Sequence, residues 1–161
     1  TMGSFMAHMP YKVVLEIFVI FLPLLFHALY GVYISLTSSV TVKRYRYFRN
    51  WCYVLQRIAG IVTLLFVIWH IYGTKLQVEL TGVDPSYAMV AGIVSTPIGL
   101  ALFAIGLLCS IYHFCNGLWT FLITWGITVS PRSQKISGYV LFALFIAFAA
   151  FGLKALSAFA G

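Results

Sequence analysis

Charge is what this sequence has least of. Only 8% of its 161 residues are charged, and just three of those are acidic. A soluble domain carries about a quarter charged residues and under half apolar ones, whereas 62% of this chain is hydrophobic and its mean hydropathy is +1.00. A soluble globular protein is therefore excluded. Cysteine is sparse as well. Cys52, Cys109 and Cys115 show no CxxC spacing and read as small buried or lipid-facing residues, not as metal ligands or a disulfide framework. Thr1 is not an initiator Met, and residues 1–9 have neither the charged nor the apolar region of a signal peptide. Internal repeats, low-complexity tracts and coiled-coil heptads are absent. So are alternating polar and apolar ten-residue stretches, which argues against a transmembrane barrel.

What the sequence has is long apolar runs. Four stand out, at about 11–37, 52–74, 95–128 and 136–159. Each exceeds the roughly 18 residues that a spanning helix needs. The expected fold is all-α, an integral-membrane helical bundle forming a single domain over residues 1–161. At roughly 20 apolar residues per span plus loops, the length holds about four or five helices and no separate soluble catalytic domain. Pro23 and Pro97 are tolerable inside spans if neighbours satisfy the freed carbonyls. Lys75 to Val94 is the one connection long enough for structure of its own, with a turn expected at Asp84-Pro85.

The net charge of +7 points in such a chain to topology, not to nucleic acid. Lys43, Arg44, Arg46, Arg49, Arg57, Arg132 and Lys135 lie at the connections between the first and second runs and between the third and fourth. Lys12, Lys75 and Lys154 lie on the other side with all three acids, Glu16, Glu79 and Asp84. The excess of positive charge places the first pair of connections in the cytoplasm. The first run then begins outside. A non-cytoplasmic start without an export signal fits a chain whose first helix is missing from this sequence.

Three of four histidines lie inside apolar runs: His27 in the first, His70 in the second and His113 in the third. His8 is outside the spans, in a polar context. An ionisable side chain at membrane depth needs a partner. An interhelical hydrogen bond explains one such histidine. Three, one per run and with almost no buried acid to pair with, are better explained as axial ligands of haem iron. Two neutral imidazoles from facing helices make a low-spin centre for electron transfer. Gly31, Gly73 and Gly117 each follow a histidine by about one turn and would leave room beside it. Zinc would want further ligands at one depth, and the sequence does not offer them.

At 1.5 Å per residue, His27 stands about eleven residues, roughly 16 Å, from the cytoplasmic end of its helix. If Trp125 marks the inner aromatic belt, His113 stands about 18 Å from it, at the same level. His70 is about nineteen residues, roughly 28 Å, from its cytoplasmic end. His27 and His113 are thus expected to share an inner haem. His70 belongs to an outer one.

The runs Leu15-Glu16-Ile17-Phe18, Leu22-Pro23-Leu24 with His27-Ala28-Leu29-Tyr30-Gly31, and Tyr47-Phe48-Arg49-Asn50-Trp51 are specific. So are Gln56-Arg57-Ile58-Ala59-Gly60 with Trp69-His70, and His113-Phe114-Cys115-Asn116-Gly117-Leu118-Trp119 continuing to Trp125-Gly126-Ile127-Thr128 and Pro131-Arg132-Ser133. From about Pro10 to Phe159 the chain resembles the dihaem cytochrome b (b558-type) membrane anchors of bacterial succinate dehydrogenases, within the fumarate reductase superfamily.

That resemblance implies five helices, the four runs here being the second to fifth, and two haem b. It implies that His27 and His113 ligate the inner haem, and that His70 ligates the outer one with a histidine from a first helix not present here. It implies a multi-pass subunit of the bacterial cytoplasmic membrane with no catalytic residue for the dicarboxylate. Flavoprotein and iron–sulfur partner subunits would oxidise succinate and relay electrons through this chain to menaquinone.

Within that frame Arg57 is expected to fork to a propionate of the inner haem, against a reading as a snorkelling cation. Glu16 is a candidate proton donor at a quinone site, against a simple pair with Lys12. The cluster Lys43, Arg44, Arg46 and Arg49, with Arg132 and Lys135, offers a docking face for the iron–sulfur subunit. Competing functions are the b-type cytochrome of another quinone-linked oxidoreductase (fumarate reductase, formate dehydrogenase or hydrogenase) and a haem-free transporter or channel with a histidine relay.

Overall fold

The computed structural model describes residues 10–82 and 86–159. His8 and the expected Asp84-Pro85 turn lie outside them. The described residues form helices joined by short connections, and four helices are long and apolar enough to cross a membrane. The chain divides after Ser39 into two units, each taken by itself.

The first unit contains α1, Lys12–Thr37. Over Glu16–Phe21 its turns widen to π-helical spacing, and the Leu22 N–H reaches back to the Ile17 carbonyl. Pro23 supplies the reason. It has no N–H to give the Val19 carbonyl, and its ring would crowd that oxygen in a regular turn. The helix closes at Ser38, whose backbone is extended, and the Thr37 hydroxyl donates to the Tyr33 carbonyl (2.8 Å). Phe26, Tyr30 and Tyr33 stack along one stripe at helical spacing. His27 sits one turn beyond Pro23.

The second unit holds α2 (Phe48–Thr81), α3 (Tyr87–Val94), α4 (Pro97–Thr124) and α5 (Pro131–Ser157). Helix α4 packs between α2 and α5. Contacts between α2 and α4 pair Gln56 with Asn116, Gly60 with His113 and Phe66 with Phe103. Rising numbers on one helix meet falling numbers on the other, so the two are antiparallel. Helix α5 runs antiparallel to α4 in the same way, with Trp119 at Gln134 and Tyr112 at Phe145. Without a hydrophobic drive between helices in lipid, small residues allow close approach. Gly106 is such a position: a Cβ there would lie 2.2 Å from the Phe66 ring.

Helix ends are set by caps. The Thr96 hydroxyl accepts the Gly99 N–H (3.0 Å) before Pro97. Ser130 and Ser133 form a reciprocal capping box around Pro131. Helix α4 stops where Gly126 turns left-handed (φ +68) and the Ile127 N–H bonds back to the Leu122 carbonyl (2.9 Å).

These caps correct the expected boundaries. The third span ends at Thr124 and not at 128, and the fourth begins at Pro131 and not at 136. The second runs from Phe48 to Thr81, well beyond 52–74, with wide π-helical turns over Tyr72–Leu76. Much of the expected 75–94 connection is therefore helix, interrupted after the left-handed Gly82. Apolar runs mark what lipid covers, whereas capping chemistry decides where the backbone leaves the helix.

Candidate haem-ligand site

His113 is the best-defined of the predicted ligands. Its Nδ1 lies 3.1 Å from the backbone carbonyl oxygen of Gln56. A carbonyl oxygen only accepts, so Nδ1 carries a proton, and in the neutral ring Nε2 then carries the lone pair. That is the tautomer in which an imidazole ligates metal through Nε2 while its other nitrogen is held by a carbonyl. The Gln56 side chain joins in from the same turn: Nε2 donates to the His113 carbonyl (3.0 Å), and Oε1 accepts from Asn116 Nδ2 (2.8 Å). Asn116 is buried, the one polar residue so deeply placed among the described residues.

The room beside the His113 ring comes from Gly60, across the helix–helix contact. A Cβ at residue 60 would stand 2.8 Å from His113 Cε1. Gly117, expected to make that room, instead faces the Gln56 amide, and Gly73 faces Ile93 of α3. A glycine one turn along shares a helix face with the histidine. The ring, however, projects away from its own helix, so the clearance it needs is on the neighbour. The residues Gln56, Gly60 and Asn116 were visible as motif letters without an assigned role. A glutamine in an apolar helix one turn before a glycine was the available signal.

His70 lies further along α2 in an aromatic setting. Its ring stacks on Phe66 (centroids 5.8 Å, 21° between planes) and meets Phe103 edge-on at 5.6 Å. Its Nδ1 is buried with no hydrogen-bond partner among the described residues. A buried imidazole nitrogen left without a partner costs on the order of 1–3 kcal/mol, which a group bound here could offset. His27 stands in α1, in the first unit. Both positions in the second unit thus fit a haem: one imidazole has its Nδ1 held by a carbonyl and the other has a nitrogen to satisfy, and they are set among aromatic and small residues.

Among the other predicted residues, the Arg57 guanidinium lies over the Tyr53 ring (5.5 Å) on α2, and Glu16 opens the wide turns of α1. Arg49, one of the expected docking cluster, also makes contacts within the bundle. It donates to Gln134 Oε1 (2.7 Å) and covers the Trp119 ring (5.3 Å), so it ties α2, α4 and α5 together at one end. Trp119 Nε1 donates to the Gln134 carbonyl (2.9 Å) at the same place. Lys43, Arg44 and Arg46 precede α2 at this end, and Arg132 and Lys135 begin α5 there. Lys75 and Glu79 pair at 3.8 Å toward the opposite end of α2.

Residues 37–152 match the family model described as the succinate dehydrogenase/fumarate reductase transmembrane subunit. The succinate dehydrogenase cytochrome b558 subunit of Bacillus subtilis (strain 168) is 50% identical over 157 residues, covering 98% of this chain and 77% of that protein. No solved structure gives a significant match.

Proposed function

Because the chain belongs to the succinate dehydrogenase/fumarate reductase transmembrane subunit family, we propose that it is the haem-carrying membrane anchor of a succinate:menaquinone oxidoreductase. The observation that carries this reading is the 50% identity, spread over nearly the whole chain, to a cytochrome b558 subunit. The chain is a multi-pass membrane protein that contributes no chemistry at the dicarboxylate. Succinate oxidation belongs to flavoprotein and iron–sulfur partners docked on the basic end of the bundle.

His113 would hold one haem b and His70 would contribute to a second, with His27 as a further ligand histidine. Haem iron bound through two imidazoles supplies reversible one-electron transfer, with no open coordination position for other chemistry. The chain's own residues do the rest. The Gln56 carbonyl keeps the proton of His113 on Nδ1. Arg57 offers a fork of N–H donors to a propionate. Glu16, the acid in α1, holds a proton for menaquinone reduction.

The test is electron flow in the purified complex. Succinate is expected to reduce the b-type absorbance, and a menaquinone analogue to reoxidise it. His113→Tyr should remove one haem signal, and Glu16→Gln should slow quinone reduction with both haem signals kept. Absence of the flavoprotein and iron–sulfur subunits from the purified complex would overturn the anchor assignment. Full quinone reductase activity in Glu16→Gln would remove Glu16 from the quinone site.

A further inference from the structure

Three atoms of a single residue converge on the turn of α4 that carries His113. The Gln56 carbonyl receives the imidazole Nδ1–H, the Gln56 amide nitrogen donates to the His113 carbonyl, and the amide oxygen takes a hydrogen bond from buried Asn116. A backbone carbonyl has two lone pairs, so that of Gln56 serves its own helix and the imidazole together. The approach depends on the absence of a side chain one turn on. A Cβ at residue 60 would come within 2.8 Å of His113 Cε1 and 3.1 Å of Nδ1. The first of these is shorter than real contacts allow, so the ring would have to shift from its place beside the carbonyl.

We infer that Gln56 and Gly60 are the positioning residues of the His113 ligand: together they set its tautomer, its ring orientation and its donor strength toward iron. The inference rests on the proposed reading of His113 as an axial haem ligand. A hydrogen bond from Nδ1–H to a carbonyl pushes electron density onto the ligating nitrogen and raises its basicity. That favours the ferric form, so weakening the bond raises the midpoint potential. His70 has no comparable partner on its Nδ1 among the described residues, and its haem serves as the internal control.

The experiment is a redox titration, with low-spin electron paramagnetic resonance spectra, on the purified complex carrying Gly60→Ala or Gln56→Leu. Gly60→Ala is expected to raise the potential and shift the low-spin signal of the haem held through His113, or to weaken its retention on the order of 10-fold. The haem held through His70 stays as in the wild type. Gln56→Leu removes two side-chain hydrogen bonds without adding bulk against the ring, and gives a smaller shift in the same direction. It decides the matter if Gly60→Ala fails to assemble. Wild-type potentials and spectra in both variants would overturn the inference, and so would equal shifts in both haems, which mark general loosening of the bundle. A wild-type complex with no haem is a separate failure, seen before any variant is made: it overturns the haem reading and this inference with it.

Discussion

Arg49 and Arg57 stand about two turns apart on α2 and meet different surroundings. Arg49 is engaged by Gln134 and Trp119, so its charge serves helix packing before it serves any partner. Arg57 lies against Tyr53 and is the cation proposed to meet a propionate. Arg57→Ala is expected to lower the content or shift the potential of the haem proposed at His113. Redox titration of the purified complex checks this, and unchanged content and potential would assign Arg57 to lipid headgroups instead. At this scale the sequence was informative where chemistry is conspicuous. Histidines in apolar runs are costly without a partner, so His27, His70 and His113 were legible. The seat of His113 was not. Its hydrogen-bond acceptor is a backbone carbonyl, which every residue has, and its clearance is a glycine on another helix. Only the antiparallel register of α2 and α4 brings those together.

Helix-scale behaviour follows from the tight contact of α2 and α4. Gly106 lies under Phe66, and Phe66 in turn stacks on His70. Gly106→Ala inserts a methyl where its carbon would overlap the ring, and overpacking of this kind costs about 1–3 kcal/mol. A lower thermal midpoint of the detergent-solubilised complex is expected, with the spectral change concentrated in the haem held through His70. A wild-type midpoint would show that the two helices have slack at this level. The four spans themselves were legible from the length of the apolar runs. Their ends were not. Thr96, Gly126 and the Ser130–Ser133 box set boundaries that hydropathy does not register, and α2 carries its helix past the apolar run at both ends.

The whole molecule is asymmetric in charge. Seven of ten basic residues lie in or beside the two connections read as cytoplasmic, and in the second unit they gather toward the ends where α2 and α5 begin and α4 ends. That bias is the basis for the proposed sidedness. A cysteine introduced by Lys43→Cys is expected to react with a membrane-impermeant maleimide in inside-out vesicles and to stay protected in sealed right-side-out vesicles; the opposite pattern would invert the topology. The family's shared architecture was legible because its motif residues span nearly the entire chain.

The most direct test of the central claim is a dithionite-reduced minus oxidised absorbance spectrum of the purified complex. The account predicts two low-spin b-type haems, with one signal lost in His113→Tyr and the other in His70→Tyr. A spectrum with no haem absorbance in the intact, assembled complex would contradict it.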